Sequence, residues 1–170
     1  MHRRLFIQKI GQGLALSTLA LTGAFVWQRT AFGHEPEFFE QSFPNLAGQD
    51  VSIAQYANRA LVVNFWASWC PPCVEEMPDL DRLSRQFPQV QFLGLAIDTK
   101  RNVNKFLEHT PVNYDLLIPG HAGVQTMRAL GNSKGGLPYT VLFNAQGQQQ
   151  TQVLGQIDPV RLSDDIKQLA

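Results

Sequence analysis

From Leu61 to Ala67 the chain reads Leu-Val-Val-Asn-Phe-Trp-Ala, apolar at every position except Asn64. A run that is apolar on both faces fits a central strand covered from both sides. Cys70-Pro71-Pro72-Cys73 follows almost at once, and then Val74, Met77, Leu80, Leu83 and Phe87 recur at steps of three and four until Pro88. That spacing predicts an amphipathic helix, kinked at Pro78, where one backbone hydrogen bond is lost. Residues 91–97 (QFLGLAI) form a second buried run, and strand-helix-strand order implies a parallel pair. Val103, Phe106 and Leu107 predict a short helix, Tyr114 to Ile118 a short strand, and Val124 to Leu130 another helix. Thr140 to Asn144 and Thr151 to Leu154 flank the turn signal Ala145-Gln146-Gly147, as an antiparallel hairpin would. Asp158-Pro159 opens a last helix, with Asp as N-cap and Pro at the first helical position. Upstream, Phe43, Leu46, Val51 and Ile53, interrupted by Pro44 and Gly48, suggest a short hairpin leading into the domain, and residues 34–42 read as a linker. The sum is an α/β domain over residues 43–170, a central mixed sheet with helices on both faces.

Ahead of the linker the pattern changes. Arg3, Arg4 and Lys9 precede an apolar run from Gly13 to Trp27, and Ala31-Phe32-Gly33 ends it with small residues. This is the three-part layout of a secretory signal, so residues 1–33 are expected to be a signal peptide cleaved before His34 or, extended back to Ile10, an uncleaved membrane anchor. Either arrangement exports the domain. Arg3-Arg4-Leu5-Phe6-Ile7 also resembles a twin-arginine signal, although His2 stands where that signal has Ser or Thr.

Charge adds an exclusion. The formal net charge is zero, but four of the 14 basic residues precede the first acid, Glu35, which leaves a mildly acidic body with no basic stripe and no reason to expect nucleic-acid binding. Hydrophobic residues at 44% and charged ones at 16% are ordinary globular usage and exclude a disordered chain.

The chemistry concentrates in the only two cysteines, three apart at a strand-to-helix junction. Residues i and i+3 are neighbours on a helix, so the sulfurs can close a disulfide with little backbone movement. With Cys70 as N-cap, Pro71 and Pro72 occupy the first two helical positions, where a missing N–H costs no helical bond. The first free donor is then the Cys73 N–H, which together with the helix dipole favours a Cys70 thiolate. A purely structural bridge would close almost no loop and so gain little. A metal site would need about four ligands, and His2, His34, His109 and His121 have no ligand spacing to the cysteines; no metal is expected, and His109 and His121 read as surface residues. A peroxide-reducing cysteine would want an activating cation beside it, and none is local.

Trp66-Ala67-Ser68-Trp69-Cys70-Pro71-Pro72-Cys73-Val74-Glu75-Glu76-Met77-Pro78 resembles the active-site segment of the TlpA/ResA/CcmG group of bacterial membrane-associated thioredoxins. The likeness spans Phe43 to Leu169, includes the added segment between Asp98 and Leu130, and takes in Gly136-Leu137-Pro138-Tyr139-Thr140, similar to that family's cis-proline loop. The resemblance implies a thioredoxin fold with an N-terminal hairpin and a strand/helix insertion. It implies a thiol-disulfide oxidoreductase that reduces disulfides in partner proteins, with no cofactor beyond a redox-active Cys70-Cys73 disulfide; the alternatives are an oxidase running the same exchange backward and a metal-delivery protein using the pair only as ligands. Cys70 would attack and Cys73 resolve; Pro138 would be the cis-proline, the Leu137 backbone would pair with substrate, and Trp69 and Tyr139 would flank the site as apolar contact surface. Asn64 stands where plain thioredoxins carry a buried Asp. Glu76 matches an acid placed near the thiols, a base for the Cys73 proton; the plain alternative is a solvated charge on the helix surface. Pro72 supports the site by removing a backbone donor. Partners implied are protein disulfides, in an apocytochrome, another oxidoreductase or a metallochaperone, and a membrane-bound electron donor, with the protein itself a monomer.

Overall fold

The computed structural model describes residues 36–169; the expected signal or anchor segment lies outside the described residues. Five strands form one mixed sheet: β3 (Leu61–Trp66), β4 (Gln91–Ala96), β5 (Asp115–Leu117), β6 (Tyr139–Phe143) and β7 (Gln149–Leu154), in the order β5-β4-β3-β6-β7. β3, β4 and β5 run parallel, β6 pairs antiparallel to β3, and β7 pairs antiparallel to β6. A separate hairpin, β1 (Ser42–Pro44) and β2 (Asp50–Ser52), lies against the edge strand β5, where the Ile118 N–H donates to the Pro44 carbonyl at 2.7 Å. That contact covers an edge that would otherwise be open for pairing with another chain.

β3 is buried at all six positions, and its alternation sorts them between two layers. Leu61, Val63 and Phe65 face α1 (Pro36–Phe39) and α4 (Gly123–Ala129). Val62, Asn64 and Trp66 face α2 (Pro71–Gln86), α3 (Lys100–Leu107) and α5 (Pro159–Lys167). The helices follow their sequence signals: α2 ends at Phe87 ahead of Pro88, and α5 begins at Asp158, whose carboxylate accepts from the Val160 and Arg161 N–H groups. α2 passes through Pro78 as one helix.

The first correction concerns residues 34–42. Over its described part this stretch is no linker, because Phe38 stacks on Phe143 with ring centroids 5.2 Å apart, and both Phe38 and Phe39 are buried in the core. Two adjacent aromatics between Glu37 and Glu40 carried the signal; burying them stabilises by about 1.5–3 kcal/mol each, enough to hold a four-residue helical turn in place.

Candidate active site

The loop from β3 to α2 brings the dithiol to the helix end. Cys70 is the N-cap of α2, Pro71 and Pro72 follow at the first two helical positions, and the first helical bond runs from the Val74 N–H to the Cys70 carbonyl. Cys70 and Cys73 form a disulfide with S–S 2.12 Å and Cα–Cα 5.3 Å. Cys73 is completely buried, whereas Cys70 keeps 6% of its surface in contact with solvent. Of the two, only Cys70 therefore has surface that an incoming molecule can reach.

Asp98, just past the end of β4, fixes that loop. Its carboxylate accepts from the Ser68 N–H (2.9 Å) and hydroxyl, the Thr99 N–H (2.7 Å) and the Asn102 side chain (2.9 Å). Burial pushes its pKa up, but these bonds outweigh that and hold it below the ordinary carboxylate value. Nothing in the sequence analysis singled out Asp98; the signal available was an acid at the carboxyl end of a parallel strand, the end where sites gather in open α/β sheets.

Pro138 is buried and its bond to Leu137 is cis. Leu137 is half-buried and packs against the cluster that contains both cysteines. The preceding loop is held by Asn132, a second residue not foreseen: its side chain donates to the Gly136 carbonyl at 2.7 Å and accepts from the Gly135 and Gly136 N–H groups. The positive φ values at Gly131 and Gly135 are conformations an L side chain rarely adopts.

Trp69, next to Cys70, is 64% exposed and so available for contact, as expected. Tyr139 is not. Strand alternation turns it to the α4 side of the sheet, where it is buried against Phe65 and donates from its hydroxyl to the Leu130 carbonyl at 2.6 Å, and burial raises its pKa to about 12. The expectation that Tyr139 flanks the dithiol is corrected to core packing.

Thr140 takes the opposite side and joins a buried polar chain. The Asn64 amide donates to Thr140 Oγ1 at 3.0 Å and to Glu76 Oε1 at 2.7 Å, and the Ile157 N–H donates to Glu76 Oε2 at 2.9 Å. Glu76 is 1% exposed, so it is neither a solvated charge nor a helix-surface group. It lies one turn after Cys73 on the same face of α2. Burial raises its pKa to about 7, against the lowering effect of the Ile157 and Asn64 hydrogen bonds. A carboxyl poised near neutrality one helical turn from Cys73 is suited to take up and return a proton once the disulfide is reduced. His109 and His121 are exposed, and among the described residues no group of three or more His, Cys, Asp or Glu is placed to hold a metal ion.

Residues 35–150 match the AhpC/TSA family. The chain belongs to that family. Within it the likeness is to thiol-disulfide oxidoreductases: the protein of that name, ResA, from Geobacillus thermodenitrificans is 28% identical over 98% of this chain and 94% of its own length. ResA of Bacillus subtilis is 24% identical over 95% of this chain and 91% of its own. Among solved structures, a thioredoxin-related protein from Neisseria meningitidis serogroup B is 30% identical with a TM-score of 0.66, over 75% of this chain and 97% of its own. The dsbF structure from MTB, described in mixed oxidised and reduced forms, superposes with a TM-score of 0.70 over 79% of this chain and 98% of its own, and at 24% identity attests the fold alone. The thioredoxin fold and the TlpA/ResA/CcmG-like character expected from the active-site segment both hold.

Proposed function

We propose that this thioredoxin-like thiol-disulfide oxidoreductase works outside the cytoplasm as a reductant of disulfides in partner proteins. The observation that carries the reading is the layering of the site: a marginally exposed Cys70 over a fully buried Cys73, with a buried carboxyl one turn below. In the reduced enzyme the Cys70 thiolate attacks one sulfur of the substrate disulfide, forms a mixed disulfide and expels the first substrate thiolate, which takes up a proton. Cys73 then gives its proton to Glu76 and attacks the Cys70 sulfur. The second substrate thiolate leaves, and two electrons have passed from the dithiol to the substrate. A membrane-bound dithiol donor would return the enzyme disulfide to its reduced form.

The direction follows from how little stabilises the Cys70 thiolate. A strong oxidant owes its potential to a heavily stabilised reduced form. Here the first two helical positions are prolines without N–H groups, no side chain caps the helix, and no Lys, Arg or His lies between Asn64 and Leu80. Export is supported by the basic and apolar pattern of residues 1–33. Equilibrating the protein with a glutathione or dithiothreitol redox series is the test. A potential near the about −270 mV of thioredoxin is expected, and a value above about −180 mV would favour the opposite reading, an oxidase.

A further inference from the structure

Glu76 has no route to solvent through its own hydrogen bonds. Both of its partners, the Asn64 amide and the Ile157 N–H, are donors to the carboxyl, and an amide nitrogen does not accept a proton. Any further hydrogen bond that tunes this carboxyl must therefore come from a hydroxyl or a water. Three buried polar atoms on the same side of the sheet lack a partner: Asn64 Oδ1, Trp66 Nε1 and the Tyr114 hydroxyl. Asn64 pairs across β3 and β4 with Gly94, and a Cβ placed on Gly94 would lie 3.2 Å from Trp66 Nε1 and 3.3 Å from Tyr114 Cε2. The absent side chain is what lets the indole and the phenol approach each other beneath α2. Leu116 covers Gly94 itself, its Cδ2 2.4 Å from that same point, so any room for a further molecule lies toward the helix.

The three atoms complement one ligand. Trp66 can only donate, the Asn64 oxygen can only accept, and the Tyr114 hydroxyl does both, which is the set a water molecule satisfies with about three hydrogen bonds. Left unpaired, each would cost about 1–3 kcal/mol. The Tyr114 hydroxyl is itself buried. Burial, and then the negative charges of Glu76 and Asp81, push the Tyr114 pKa up, so the phenol stays protonated and acts by exchanging hydrogen bonds.

We propose that the Tyr114 hydroxyl, the Trp66 indole N–H and the Asn64 amide oxygen bind a buried water beside Glu76, and that this water donates a hydrogen bond to the Glu76 carboxylate and so sets how readily it takes up the Cys73 proton. Tyr114 is then a positioning residue for the proton acceptor, and the inference rests on the role of Glu76 given above. Of the titratable groups, Tyr114 from the segment ahead of β5 feels the charge of Glu76, as it does that of Asp81 on the same helix; Cys73, one turn before Glu76, is held in the disulfide and does not titrate. β3 and the segment before α5 present the Asn64 amide and the Ile157 N–H, which do not titrate.

The test is a carboxyl-carbon NMR titration of the oxidised full-length chain, with the Glu76 signal identified by its loss in Glu76→Gln. Tyr114→Phe should raise the Glu76 midpoint above the wild-type value by about half a unit, the loss of roughly one water-mediated hydrogen bond to the carboxylate, and slow resolution by Cys73 about threefold. An unchanged midpoint overturns the proposal. A high-resolution crystal structure of the wild type supplies the second measurement, whether or not the variant folds: a water bonded to both the Tyr114 hydroxyl and Trp66 Nε1 supports it, and a site without water overturns it. Both measurements are made on the oxidised protein without substrate. A shifted midpoint in a protein that reduces no disulfide would therefore support this inference while removing the function proposed above.

Discussion

Asn64 on β3 donates a 2.7 Å hydrogen bond across to Glu76 on α2, and its second amide hydrogen goes to Thr140 on β6 at 3.0 Å. These bonds join the central strand, its antiparallel neighbour and the helix that carries the cysteines at one buried point. An amide there can hold the carboxylate without taking its proton. The charge state of Glu76 is thus left to the balance between burial, which raises its pKa, and two hydrogen bonds, which lower it.

That balance gives Glu76→Gln a pH signature. The folded chain holds the Glu76 proton up to about 7, compared with the ordinary value of 4.5, so it binds more protons than the unfolded chain between those values. Stability from this group is complete below about 4.5 and falls as pH rises through 7. The glutamine variant does not titrate and lacks that decline. At pH 5 it should be the less stable protein, because a glutamine NH2 cannot accept from Asn64 or Ile157. By pH 8 the gap should move in its favour by on the order of 3 kcal/mol. Thermal melts at the two pH values measure the difference, and a gap independent of pH would contradict the raised pKa. In kinetics, the acid limb of the resolving step near pH 7 should flatten in the same variant.

Asp98→Ala should loosen the cysteine loop. The substitution removes the acceptor of four hydrogen bonds, two of them from Ser68, and should cost about 2–4 kcal/mol in a urea unfolding series. Because the folded pKa of Asp98 is depressed, the wild type holds this stability above about 3.9, the unfolded value, and loses it as pH falls through the lower folded one. The variant should therefore lose less stability on acidification than the wild type, and parallel acid titrations of the two would contradict the assignment.

What the sequence made legible follows from what periodicity reports. The runs at Leu61–Trp66 and Gln91–Ala96, the α2 stripe and the caps at Cys70 and Asp158 are local patterns, and each element formed where its pattern stood. Cys70 and Cys73 were legible from their spacing at a strand-to-helix junction, and Pro138 from the resemblance of its loop to the family's cis-proline loop. Glu76 was recognised by position but placed on the helix surface, since a helix register does not say that the segment before α5 folds over it and supplies the Ile157 N–H. Asp98 and Tyr114 act across 30 and tens of residues, so their partners could not be read locally even though Asp98 stood at the end of a readable strand; Asn132 reaches only 4 residues, within a loop that carries no periodicity. Tyr139 failed for a simpler reason: one step along a strand reverses the face.

Trp69→Ala should separate protein substrates from small ones. The indole is 64% exposed and adjacent to Cys70, so its removal costs little stability, within about 0.5 kcal/mol. It should lower the rate with a protein disulfide several-fold while leaving the reduction of a small aromatic disulfide nearly unchanged, since only a protein partner is large enough to cover the indole while reaching the sulfur. Equal losses with both substrates would make Trp69 part of the chemistry rather than of docking.

The two cysteines should respond differently to serine. Attack on a protein disulfide requires a sulfur that an incoming sulfur can approach in line, and of the pair only Cys70 has any exposed surface. Cys70→Ser leaves a single thiol that is completely buried, so neither reduction nor stable mixed disulfides are expected. Cys73→Ser keeps the attacking thiol and removes the one that resolves. Mixed disulfides should then form and persist, visible as partner-linked bands on non-reducing gels that dithiothreitol dissolves. Serine replaces sulfur with a slightly smaller oxygen inside a closed site, so both variants should be checked for folding by melting before the comparison is made. If both fold and trap partner equally, Cys73 is reachable in solution and the assignment of attacker and resolver fails. If only Cys73→Ser traps partner, the captured proteins also identify the substrates that this dithiol serves.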